Sequence, residues 1–252
     1  LADAAAAEAT YGHISTWHTS GVMDMSSMGF GSAFNEDIGA WDTSGATTME
    51  KMFQASSFNQ DIGGWAVQSV TDMSGMFRDS AFNRYIGGWD TSGVTTMNMM
   101  FKGNSVFNQD IGGWAVHSVV DMSEMFYGAS AFDQDIDGWA VDNVRDTNYM
   151  FKDASRFNQD IGNWAVHSLT TMSYMFLRAY AFNQNLGWCV EVGIHWVFDN
   201  TPCMRSSCGV VKMDNCPTPA PTDAPTGIPT APTTAPTHLC HYEAHAYSGE
   251  AF

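Results

Sequence analysis

The chain has 252 residues, 44% of them hydrophobic, which is enough to bury a sizeable core in one domain or two small ones. Ten Lys and Arg stand against 27 Asp and Glu, for a net charge of −17. That balance excludes nucleic acid as a partner, because phosphate binding depends on basic side chains, and it disfavours anionic membrane surfaces. No apolar run approaches the roughly 20 residues of a membrane-spanning helix, so no membrane insertion is predicted.

Residues 1–16 (LADAAAAEATYGHIST) carry none of the columns that follow and are predicted to cap the first coil. The chain starts at Leu1 without a signal peptide, the pattern expected of a processed or truncated precursor.

From Trp17 the sequence repeats. Trp17, Trp41, Trp65, Trp89, Trp114, Trp139, Trp164 and Trp188 follow one another at 24 or 25 residues. Phe34, Phe58, Phe82, Phe107, Phe132, Phe157 and Phe182 keep the same beat, as do the Met-Phe pairs from Met52-Phe53 to Met175-Phe176. Such a period belongs to the 20–29-residue class of leucine-rich repeats. No unit can bury its Trp, Ile, Met and Phe alone, so about seven coils over residues 17–188 must stack. The predicted fold is therefore an α/β repeat solenoid, a leucine-rich-repeat-like stack. Each coil is expected to supply one short parallel strand near Ile62-Trp65-Val67 and its equivalents. A short helix or 3₁₀ turn should follow, because Val70, Met73, Met76 and Phe77 have helical spacing, with Thr71 or Asp72 as its N-cap. Gly63-Gly64, Gly87-Gly88 and Gly112-Gly113 sit where a positive φ or a close backbone approach is expected.

Two polar columns accompany the core. Asn59, Asn83, Asn108, Asn158 and Asn183, with Asp37, Asp61, Asp110, Asp135 and Asp160, read either as loop hydrogen bonding between coils or as a carboxylate ladder for calcium. Residues after the Val position run Ser44, Gln68, Ser92, His117, Asp142 and His167, so His117, Asp142 and His167 are candidate metal ligands or pH-responsive groups. The Trp and Met columns read as core rather than as a glycan strip or a cofactor box. No nucleophile elbow, phosphate loop, H-E-x-x-H or dinucleotide glycine pattern occurs, so neither an enzyme nor a cofactor is predicted.

Beyond Trp188 the composition changes. Cys189, Cys203, Cys208, Cys216 and Cys240 are all the cysteines of the chain. Without a C-x-x-C pair they suggest disulfides made in an oxidising compartment more than zinc, with one Cys left free or joined to another chain. Residues 189–216 are expected to form a stapled C-terminal cap. Residues 217–237 (PTPAPTDAPTGIPTAPTTAPT) have the composition of an extended linker or O-glycosylated stalk, with Thr218, Thr222, Thr226, Thr230, Thr233, Thr234 and Thr237 as acceptors. A short segment, 238–252, ends the chain.

The stretches SVTDMSGMF (Ser69–Phe77), VVDMSEMF (Val119–Phe126) and ASSFNQDIGGWAV (Ala55–Val67) resemble the BspA-like leucine-rich repeat of bacterial, mycoplasma and protist surface proteins and lipoproteins. The resemblance covers about 170 residues. The family unit often has Ser after the Ile and Asn before the Trp, where this chain mostly has Gly. Membership implies display outside the cell or on its surface, and binding to matrix proteins, other cells or other surface components. The expected function is a non-enzymatic structural or adhesion module working through protein–protein contacts, copies of itself among the partners, as in a filament or coat. The alternative is a soluble glycan- or calcium-binding module.

Overall fold

The computed structural model describes residues 4–28 and 31–215. Helix α1 (Ala4–Tyr11) opens the chain, and a 3₁₀ turn at Ile14–Thr16 leads into Trp17. Thereafter the backbone winds in coils joined by single parallel bridges. These run Asp24 to Thr48, Thr48 to Asp72, Asp72 to Thr96, Thr96 to Asp121, Asp121 to Asp146, and Asp146 to Thr171.

Pairing thus falls just before the Met column, several residues beyond the Trp-x-Val segment where a strand was expected. The segment expected to be helical is built of turns. In the third coil Met76 N–H closes on Met73 O and Arg78 N–H on Gly75 O, while the N–H groups of Met73, Gly75, Phe77 and Asp79 donate to the fourth coil. A helix cannot form there because two positions per coil, four residues apart, have positive φ. They are Lys51 and Ala55, Gly75 and Asp79, Met99 and Gly103, Glu124 and Gly128, Tyr149 and Asp153, and Tyr174 and Arg178. With a left-handed residue in each turn the donors alternate: one N–H closes its own turn, and the next leaves the segment to tie one coil to the next. Two consecutive turns meet the same i, i+3, i+4 apolar spacing as a helix. Asp72 Oδ1 still accepts the Ser74 N–H at 2.7 Å, as a turn cap rather than a helix cap.

The apolar columns fill the inside. Phe53, Phe77, Phe101, Phe126, Phe151, Phe176 and Phe198 stack with ring centroids 5.4–5.7 Å apart. The column from Phe34 to Phe182 stacks at 5.8–6.5 Å. Offset aromatic pairs of this kind add about 0.5–1.5 kcal/mol each beyond the area they bury. The Trp rings from Trp41 to Trp188 are buried beside them. Each indole N–H from Trp41 to Trp164 donates to the Ile carbonyl at the end of the preceding coil, starting with Trp41 on Ile14 at 2.9 Å. Ile14 therefore already occupies the Ile column, within the stretch expected to be a cap. The first Gly of each pair is required by close approach and not by φ: a Cβ on Gly112 would lie 2.7 Å from Asp135 O, whereas a Cβ on Gly113 would meet nothing nearer than 3.9 Å.

Stacking continues one coil past Trp188. Phe176 N–H donates to Val197 O, Arg178 N–H to Asp199 O, and Trp196 and Asn200 take the two left-handed positions. A disulfide joins Cys203 to Cys208, and the short strands β1 (Cys189–Val190) and β2 (Val211–Lys212) pair in parallel across this end. Cys189 is disulfide-bonded as well. Cys216, Cys240, the threonines from Thr218 to Thr237 and the segments 217–237 and 238–252 lie outside the described residues.

Candidate functional site: two edges of the coil stack

The Asn column forms an amide edge. Asn35 Oδ1 accepts the Asn59 N–H, and the pattern repeats through Asn59, Asn83, Asn108, Asp133 and Asn158 to the N–H of Asn183, at 2.8–3.0 Å. Only the side-chain oxygen is used, which is why Asp133 fits the column. The next residue donates back to the same rung: Gln60 Nε2 to Asn35 O at 2.8 Å, and Gln134, Gln159 and Gln184 likewise. Arg84 replaces Gln in the third coil, and its Nε donates to Asn59 O at 2.8 Å.

The Asp column that follows serves the backbone. One oxygen of Asp37, Asp61, Asp110, Asp135 and Asp160 accepts the N–H two residues ahead at 2.9–3.0 Å. These side chains are exposed and form a row of one carboxylate per coil, broken by Tyr85 in one coil and by Asn185 in the last. His117 and His167 are exposed and Asp142 is half-buried. His167 sits in a 3₁₀ turn, Val166–Ser168, that the other coils lack. Among the described residues no group of three His, Cys, Asp or Glu is placed to hold a metal ion.

Among the described residues the shifted carboxylates are Asp24 and Asp146 on the ladder, and Asp42 and Asp90, each directly after a column Trp. Asp24, Asp42 and Asp90 lie below the usual carboxylate range, first because a Ser hydroxyl two residues ahead donates to each and then because the same Ser N–H does. Asp146 is pushed up, chiefly by burial, with the neighbouring Asp121 and Glu124 charges adding to it against the Asn148 N–H. Asp and Thr alternate along the ladder until Asp121 and Asp146 meet on adjacent rungs.

The opposite character appears at the turn edge, around the left-handed positions. There the residue changes from coil to coil. The first left-handed position carries Ser27, Lys51, Gly75, Met99, Glu124, Tyr149, Tyr174 and Trp196 in order. The residue after the Met-Phe pair is Gln54, Arg78, Lys102, Tyr127, Lys152 and Leu177. In the C-terminal half these side chains interlock. Lys102 pairs with Glu124 and lies over the Tyr127 ring, 4.9 Å from its centroid. Lys152 lies over Tyr127 at 4.6 Å and Tyr149 at 5.2 Å, and Tyr149 stacks on Tyr174 at 5.0 Å. Arg178 pairs with Asp153, and Trp196 is 60% exposed at the end of the row. A bulky residue with positive φ is costly, and Gly75 shows that the position accepts glycine. The aromatic side chains are thus retained against a local backbone penalty.

The chain matches the DUF285 family, described as Mycoplasma protein of unknown function, over residues 3–84 and again over 78–189. The chain belongs to this family. Each match spans several coils, the first taking in α1 as well, so the DUF285 unit here is larger than one coil. No curated protein and no solved structure matches the chain. Within this DUF285 chain, the feature that breaks the repeat chemically is the aromatic and cationic strip on its turn edge. Sequence reasoning missed that strip because it sought residues that recur; the available signal was Tyr149 and Tyr174, aromatic at one repeat spacing beside the core Met.

Proposed function

We propose that this DUF285 chain is a leucine-rich-repeat-like solenoid of the BspA-like kind, working outside the cell as a non-enzymatic structural and adhesion module. One observation carries the reading: a single strip of Tyr127, Tyr149, Tyr174 and Trp196 with Lys102, Lys152 and Arg178 stands on an otherwise uniform scaffold. Tyr, Trp and Arg are the residues enriched in protein–protein interfaces and their hot spots. The disulfides at Cys203–Cys208 and at Cys189 favour an oxidising compartment. Among the described residues no helix is long and apolar enough to cross a membrane.

The test has two arms. A membrane-impermeant amine label on intact cells carrying the native protein should modify it without lysis. Purified chain should then bind those cells, and Tyr149→Asn with Tyr174→Asn should lower that binding at least tenfold. Labelling only after lysis, or undiminished binding by the double variant, is the result against this reading. The half-buried Tyr127, Tyr149 and Tyr174 rings with the exposed Trp196 also suit a neutral glycan; a glycan array that reproduces the tenfold loss would assign the strip to that ligand instead.

A further inference from the structure

We propose that the partner of the turn edge is a second copy of this chain, seated through its amide edge, so that copies associate side by side. The inference rests on the adhesion and coat reading above and names the surface and the partner within it.

Charge distribution is the first argument. Of the chain's ten basic residues, Lys51, Arg78, Lys102, Lys152 and Arg178 lie on the columns of the turn edge. Their local acids, Glu50, Asp79, Glu124 and Asp153, pair with Lys51, Arg78, Lys102 and Arg178, while Lys152 lies over two tyrosine rings. In a chain of net charge −17 this edge is close to neutral and ends in donors: tyrosine O–H, the Trp196 indole N–H, ammonium and guanidinium groups. The amide edge is the reverse. In its Asn, Gln and Asp columns Arg84 is the one basic residue, with exposed Arg156 two residues before Asn158, and Asp61, Asp110, Asp135 and Asp160 expose acceptors. A strongly acidic chain meets a second copy with least repulsion where a donor edge faces an acceptor edge.

Period is the second argument. Both edges advance one residue per coil along the same stack, with about 4.8 Å between coils. Lys102 and Lys152 are two coils apart, and so are Asp110 and Asp160. With the two stacks parallel, an alignment that places Lys102 on Asp110 therefore places Lys152 on Asp160. A surface foreign to the repeat has no reason to share this spacing. The contact joins two different edges, so it is heterologous and does not close on itself: every added copy offers a fresh edge. Tyr149, Tyr174 and Trp196 supply the aromatic burial such a contact needs, at positions where the backbone alone favours glycine.

The experiment uses the full chain, with thiols alkylated so that no intermolecular disulfide forms, in sedimentation velocity at about 0.15 M salt, where the Debye length is about 8 Å. The turn-edge variant carries Tyr149→Asn, Tyr174→Asn and Trp196→Asn, because Asn tolerates positive φ. The amide-edge variant carries Asp110→Asn, Asp135→Asn and Asp160→Asn, which keeps the oxygen that each backbone N–H needs. Wild type should form concentration-dependent species larger than a dimer. Each variant alone should remain monomeric, with an unchanged circular dichroism spectrum. A mixture of the two should give a one-to-one dimer and nothing larger, since only one intact edge of each kind remains. A monomeric wild type, assembly by either variant alone, or a mixture that stays monomeric overturns the proposal. A wild type that stays monomeric yet binds cells would remove self-association and leave adhesion standing; one that assembles but does not bind cells would do the opposite.

Discussion

The two edges of the coil stack are built from the same backbone repeat, yet they differ in what varies. On the amide edge the same side chains recur because each one completes a hydrogen bond the main chain needs: Asn108 Oδ1 serves the N–H of Asp133, and Asp110 Oδ1 serves that of Gly112. On the turn edge the main chain is already satisfied by its neighbours, as when Tyr149 N–H donates to Ser173 O. Its side chains are then released to change, from Lys51 through Gly75 to Tyr174. Recurrence within the chain marks service to the fold, and divergence marks the surface left for something else.

Substitutions on the amide edge should therefore cost the most. Asn108→Ala removes the acceptor of both the Asp133 N–H and Gln134 Nε2. Each hydrogen bond lost at this exposed position costs about 0.5–1.5 kcal/mol. Thermal denaturation should show a fall of several degrees in Tm, while Asn108→Asp, which keeps the oxygen as Asp133 does, should lose far less. Equal losses in the two variants would mean that the amide N–H₂ matters and that the edge has been misread.

The glycine pair breaks the comparison at a finer scale, inside a single coil. Gly112→Ala forces a Cβ to within 2.7 Å of Asp135 O. Overpacking against backbone costs about 1–3 kcal/mol. Gly113→Ala meets open space and should be neutral or slightly stabilising, since alanine restricts the unfolded chain. Urea denaturation of the two variants side by side decides it: matched midpoints would remove the close-approach account.

Much of this was legible in the sequence, and what was not has a physical cause. The Trp, Phe, Ile and Met columns are buried because a 24–25-residue beat leaves them no other place. Where the coils pair was not legible. Met73, Met76 and Phe77 satisfy a helix and a pair of turns equally, and apolar spacing carries no sign of φ. The hint lay in Gly75, Gly103 and Gly128, which recur at the left-handed positions. Past Trp188 the motif disappears but the coil does not, because Val197 and Phe198 keep the volume of the Met-Phe pair while its flanking residues change.

Between the edges, the ladder supplies a pH-dependent test. The Asp146 carboxyl holds its proton to higher pH in the folded chain than in the unfolded one, mainly through burial and the adjacent Asp121. Its charge therefore destabilises the fold above that raised pKa, and the penalty is relieved as pH falls through it toward the ordinary carboxylate value. Asp146→Thr restores the Asp-Thr alternation and keeps a hydroxyl for the Asn148 N–H, as Thr96 does for Asn98. Tm should rise modestly at pH 7, and the gain should shrink on acidification. A gain that grows as pH falls is the opposite sign and would refute it.

The smallest effect is expected on the turn edge, and that smallness is informative. Tyr149→Asn and Tyr174→Asn each remove a large side chain from φ near 57° and 60°, where Asn is far better tolerated. What the ring gives up is one stacked pair, worth about 0.5–1.5 kcal/mol, and the Lys152 contact over Tyr149, worth about 0.5–1 kcal/mol where exposed. The relieved backbone penalty is of similar size, so stability should stay within about 0.5 kcal/mol, as surface changes usually do. Guanidinium denaturation checks this. A loss above about 2 kcal/mol would make the tyrosines part of what holds the coils together. The distinction between an edge that serves the fold and an edge released for a partner would then fail.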